Sequence, residues 1–198
     1  MHTAARLVLA AVMFVAAASV VFTSQDPLKD AAALGRTKDD AQFEAFNKSY
    51  SLTLSGNIER AEIVTEFRRA VLIVREKALA GDYQYGGDAL AKALLPMKGL
   101  VTFIVQVRLH PQHAFNREPA YDLYVSTGSQ SAPIASTGVK RQPVYPPGGG
   151  QGSPMVGVRL EASFPRADLT RSAAPMLTVT DEKGETLWQA HLDLSRYR

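Results

Sequence analysis

The chain contains no cysteine. Disulfides, thiolate nucleophiles, cysteine metal ligands and lipid attachment at a cysteine are thereby excluded. It carries one tryptophan and four histidines in 198 residues. It has little excess charge: 22 Lys and Arg against 19 Asp and Glu leave a formal net charge of +3. The basic residues are scattered, and Arg68-Arg69 and Lys140-Arg141 are the nearest approach to clusters. A nucleic-acid surface carries a basic stripe, so nucleic acid is not an expected partner. No G-x-S-x-G elbow and no phosphate-binding G-x-x-x-x-G-K-[ST] loop occurs. No internal repeat of fixed period is present.

What the sequence does hold is concentrated at its start. Arg6 is followed by residues 7–22 (LVLAAVMFVAAASVVF), a run of 16 without a charge, and polarity returns at Thr23. That is the layout of an export signal or a single membrane anchor. As a helix the run spans about 24 Å, short of the ~30 Å hydrocarbon core. Small residues at Ala16, Ala17, Ala18 and Ser19 suit cleavage shortly after Ala18, whereas Val20, Val21 and Phe22 prolong the apolar stretch. Residues 1–24 are therefore read as a signal peptide or an uncleaved membrane anchor. An amphipathic core helix is disfavoured because the run is apolar all round. The expected location is exported, periplasmic or extracellular, with membrane contact through residues 7–22 if they are retained. An exported domain without disulfides must be held by its core alone. Hydrophobic residues make up 46% of the chain, enough for one.

Beyond the leader, residues 25–49 read as a tether (25–35) followed by a short helix near 38–48 that carries Phe43 and Phe46. A single domain fills 50–198. Tyr50, Leu52 and Leu54 alternate as in a strand, Gly56 interrupts, and 58–64 is a candidate second strand. The strongest helix covers 66–80. Thr65 is its N-cap, Gly81 its stop, and Phe67, Ala70, Val71, Val74, Ala78 and Leu79 form its apolar face. A shorter helix is expected over 88–95, ended by Pro96. Alternation then places strands at 100–109, 121–125 and 155–164, and a hairpin at 176–194 turning through Asp181-Glu182-Lys183-Gly184. Residues 126–154, rich in Ser, Thr, Gly, Pro and Gln, read as a long flexible loop. The expected fold is α+β and mainly β: an antiparallel, sandwich-like C-terminal portion with the helices at 66–80 and 88–95 packed on it.

Few residues point to chemistry. His110 and His113 form an H-x-x-H pair that could share a metal with Asp122, Glu118 or His191. Pro111 and the strand end leave its geometry open. Ser153 lies in Gly-Ser-Pro, a poor rigid mount for a nucleophile. Asp39-Asp40 and Asp181-Glu182 read as a helix start and a turn tip. The run 148–152 lacks the lysine of a phosphate loop and a following helix. Tyr83 and Tyr85 beside Gly86-Gly87, and Tyr145 before Pro146-Pro147, are candidate binding residues, since a loop tyrosine can grip a sugar or a partner. Packing under the second helix is the plainer role for the first two. Trp188 is expected in the core, and Arg68 on a solvated face or paired with Glu62 or Asp82.

These features favour a non-enzymatic envelope module that binds a protein partner or a wall component, with no cofactor. Its contact surfaces would be the 126–154 loop and the Tyr83–Tyr85 turn, so deleting 130–152 would abolish capture with little change in melting. An exported hydrolase, metal-assisted at His110, His113 and Asp122, is one alternative. A carrier enclosing a small apolar ligand between the sheet and the 66–80 helix is another.

Overall fold

The computed structural model describes residues 26–110, 118–127, 133–149, 152–172 and 174–198. Residues 1–25 lie outside them, and with them the segment 1–24 read as a signal peptide or membrane anchor. The fold is α+β with antiparallel sheets. In chain order the described elements are α1 (Pro27–Gly35), α2 (Asp40–Ser49), β1 (Ile58–Val64), α3 (Glu66–Leu79), α4 (Gly87–Leu94), β2 (Leu100–Arg108), β3 (Asp122–Thr127), β4 (Val139–Val144), β5 (Gly157–Pro165), α5 (Arg166–Arg171), β6 (Pro175–Thr180) and β7 (Thr186–His191).

The strands form one sheet in the order β1-β2-β5-β4 and another in the order β3-β6-β7. Both contribute to one apolar core. Phe103, Val105, Val158 and Leu160 come from the first sheet, and Leu123, Val125, Leu177 and Val179 from the second. Period-two alternation explains this directly. Val101, Phe103, Val105 and Val107 all face inward on β2 and are at most 1% exposed. The β6–β7 hairpin turns where Asp181 accepts hydrogen bonds from Lys183 N at 2.9 Å and Glu185 N at 2.8 Å. Gly184 takes φ 80° there, a conformation side chains disfavour.

Several expectations are corrected, three of them about whole segments. The stretch read as a tether contains α1, capped by the Asp26 side chain on Leu28 N with Pro27 in the first turn. Its interior residues are small, which hides its amphipathicity in the sequence but lets it lie close to α3. A Cβ on Gly35 would stand 2.7 Å from the Val71 carbonyl oxygen. Ala31, Leu34, Ala70, Val71, Val74 and Leu90 form a second core between α1, α3 and α4. The apolar width of α3 that suggested a ligand carrier is thus covered by α1. Second, within 126–154 lies β4, paired along its length with β5 from Val139↔Ala162 to Val144↔Gly157. Its weak pattern follows from its edge position, where Lys140, Arg141 and Gln142 are exposed. Excising 130–152 would remove this strand. Third, 50–54 pairs only briefly with β1. Leu52 N donates to Ala61 O at 2.8 Å and Ile63 N to Tyr50 O at 3.0 Å, after which the chain leaves the sheet. Leu79, assigned to the buried face of α3, is 73% exposed.

Arg68 is not on a solvated face: it is 2% exposed. Its guanidinium donates to Ile63 O at 2.8 Å and to Glu62 Oε2 at 3.0 Å. Arg60 Nε donates to the other Glu62 oxygen at 2.5 Å. Burial opposes ionisation of Glu62, but the Arg60 hydrogen bond and the charges of Arg68 and Arg60 outweigh it, holding the carboxyl below its ordinary range.

Two outcomes are expected. Gly35→Ala should cost about 1–3 kcal/mol, because the methyl meets backbone that cannot yield easily. An unchanged thermal melt would refute the close α1–α3 packing. Glu62→Gln leaves a buried guanidinium without its counter-charge, and should cost roughly 3–5 kcal/mol in urea unfolding at neutral pH. The Glu62 carboxyl is depressed in the fold. Its contribution is therefore complete above the ordinary glutamate range and fades as pH falls through the lowered folded value. Glu62→Gln should remove that part of the acid limb of the stability curve, and an unaltered limb would count against the pair.

Candidate functional site

The tyrosines at the α3–α4 turn have different settings. Tyr85 is half-buried and packs against the helical core. Its hydroxyl donates to Ala89 O at 3.3 Å, its carbonyl accepts from Arg36 at 2.8 Å, and Lys77 Nζ stands 5.6 Å from its ring centre. Tyr83 is 56% exposed. Tyr145 is half-buried just past β4. Among the described residues no ring contact joins the three.

The histidine reading divides. His110 is exposed past the end of β2, and His113 lies outside the described residues. Asp122 opens β3, where its Oδ1 accepts from Leu123 N at 2.9 Å and lies 3.5 Å from Arg141. Among the described residues no group of three or more His, Asp or Glu is placed to hold a metal ion. Asp39 caps α2, and Asp40 pairs with Arg75 at 2.6 Å. Both paired carboxylates therefore do structural work at a helix start and a turn.

The structure brings together a different set. A groove of about 520 Å³ runs between residues 48–55 and the outer edge of β7, continuing to Tyr197. One wall carries hydroxyls from Ser49, Ser51, Thr53 and Ser55. Ser51 and Thr53 flank buried Leu52 and are exposed, so strand-like alternation turns these two hydroxyls outward, while Ser49 ends α2. The other wall is Gln189, Ala190 and His191. Beneath lies Trp188, 4% exposed, whose indole N–H donates to Thr53 O at 3.3 Å and ties the walls together. At the C-terminal end stand Lys48, Arg196 and Asp193. The Asp193 carboxylate accepts from Ser195 Oγ at 2.6 Å and Ser195 N at 3.2 Å. Among the described residues Lys48 and Arg196 have no acidic partner within ion-pair distance. The hydroxyls at 49, 51, 53 and 55 were the sequence signal for this wall. Attention to their apolar partners, and the distance in sequence to β7, concealed it.

No protein-family model matches the chain, and neither a curated protein nor a solved structure matches it.

Trp188→Phe retains most of the buried ring and releases the Thr53 carbonyl. It should cost about 1 kcal/mol in urea unfolding, with faster amide exchange in 51–55. Exchange unchanged there would show that the indole does not hold that wall.

Proposed function

We propose that this protein is an exported, non-enzymatic module of the cell envelope that holds a protein partner or wall component in the groove beside β7. The scaffold would be a β-sandwich-like pair of sheets with a helical layer at one side. The observation that carries this proposal is the groove itself. It is large enough for a ligand by the ~300–1,000 Å³ common to binding clefts. It is lined by hydroxyl, amide and backbone groups suited to holding an occupant. Its one carboxylate, Asp193, is engaged in capping the turn at Leu194–Arg196, which fits a holding role rather than proton transfer. The uncharged run at 7–22 supports work outside the cytoplasmic membrane, with the domain tethered or released. The shared core of the two sheets supports the sandwich description.

The test is a photo-crosslinking amino acid placed in the full-length protein in cells, at Ser51 in one strain and at Tyr83 in another. Ser51 should give a discrete, reproducible adduct, and Tyr83 should not. An adduct from Tyr83 alone would move the site to the α3–α4 turn; none from Ser51 would remove the groove. External protease added to cells stripped of their outer layers should digest the protein. Full protection until the cytoplasmic membrane is lysed would overturn export.

A further inference from the structure

Building on the groove as the binding site, we infer that its occupant is an extended polypeptide segment bearing acidic side chains, which adds as a strand to the free edge of β7.

The hydrogen-bond ladder sets which backbone groups are free. Leu192 N donates to Pro175 O at 2.9 Å, and the β6–β7 register pairs Leu177 with Ala190 and Val179 with Trp188. In an antiparallel pair the bonded positions alternate. Ala190 and Trp188 therefore bond to β6, while Gln189 and His191 turn their N–H and C=O groups away from it, toward the groove. Among the described residues no backbone bond meets those outward groups. Two such residues can register a strand of about four residues at the usual rise of ~3.3 Å each.

The other sheet edges are occupied or blocked. The outer side of β1 bonds to Tyr50 and Leu52. The outer side of β3 receives Ile134, whose N–H donates to Val125 O at 2.7 Å. On β4 the edge carries Lys140, Arg141 and Pro143, residue types that discourage strand addition. The outward positions of β7 hold Gln189 and His191 instead. A bare edge set in a groove lined by hydroxyls has the chemistry of strand addition: main-chain bonds give affinity and neighbouring side chains select.

Charge chooses the peptide. Lys48 and Arg196 face the groove, and the one carboxylate there, Asp193, is already accepting two bonds from Ser195. An acidic residue on the incoming strand would complement the two cations.

The test uses purified full-length protein and a phage-displayed library of random linear decapeptides. Selected peptides should be enriched in Asp and Glu and depleted in Pro. Their affinities, read by anisotropy of labelled peptide, should fall about tenfold in Gln189→Pro, the change expected from losing one main-chain bond with its ordering. Proline is tolerated where an edge N–H faces outward, so the melt should hold. Gln189→Ala, which keeps the N–H, should weaken binding less than Gln189→Pro does. Lys48→Glu with Arg196→Glu should weaken binding of acidic peptides and favour basic ones. Equal binding by Gln189→Pro, or enrichment of basic peptides, or no selected binder, would overturn the inference. If Gln189→Pro melts early, amide exchange decides. Peptide should slow exchange at Gln189 and His191, and unaltered exchange there rejects strand pairing. A Ser51 adduct in cells that persists in Gln189→Pro would leave the groove standing and remove only the strand. Loss of the Ser51 adduct in the parent protein removes the groove reading itself.

Discussion

The guanidinium of Arg68 is the junction on which the arrangement depends. It sits on α3 yet bonds to the Ile63 carbonyl and Glu62 carboxylate of β1, lies 3.4 Å from the Asn47 amide oxygen of α2, and stacks 5.3 Å from the Tyr50 ring centre. A charge buried this deeply is costly unless paired and hydrogen-bonded. The alternatives to this packing leave it unpaired, so helices and sheet cannot slide independently. Tyr50 in turn begins the segment that pairs with β1 and then departs toward β7. The hydroxyl wall of the groove thus starts at an ion pair, with Tyr50 against Arg68 and Ser51 bridged to Glu62.

The C-terminal residues close the same circuit from the opposite direction. Arg166 donates to the Tyr197 carbonyl at 3.1 Å, Tyr197 meets the Tyr50 ring at 5.5 Å, and the Arg198 guanidinium lies 5.1 Å from the Phe67 ring and 3.6 Å from Asp30. Phe46 packs against both apolar clusters. Without disulfides, the helical and sheet layers are joined by aromatic rings and cation–aromatic contacts at one seam. Tyr197 belongs both to that seam and to the groove lining, so groove shape and layer docking are coupled. The groove's floor, Trp188, is core material rather than surface decoration.

Local periodicity made part of this legible. The alternation at 100–109 gave β2 and its inward face, and Thr65 with Gly81 bracketed α3 within a residue or two. Trp188 is buried with Leu192 and Leu194, as its phase implied. Elements without a large apolar stripe were not legible. The stripe of α1 is alanine and glycine, and β4 is an edge strand whose exposed residues carry no alternation. Arg68 was given a solvated face by default because charge is a surface signal, while the alternative pairing with Glu62 is the one formed, brought about by the strand-to-helix turn and buried. The groove was least legible of all. Its walls are about 135 residues apart in sequence, and its defining feature, a row of main-chain groups that no backbone bond meets among the described residues, belongs to no side chain.

That feature also bears on why a flexible segment suits the groove better than another folded copy. An exposed strand edge invites association with any other edge. Here the edge is recessed: Gly56 lies with its Cβ position 3.9 Å from the Leu187 carbonyl oxygen, closing one end, and Ser51 and Thr53 stand across from Gln189 and His191. A strand already built into a sheet brings a neighbour about 4.8 Å away on its far side. A single extended chain has no such neighbour, which suits it better to an edge that shares its groove with residues 48–55. The same recess limits access to an open β-edge in a chain that has no disulfide to restrain it.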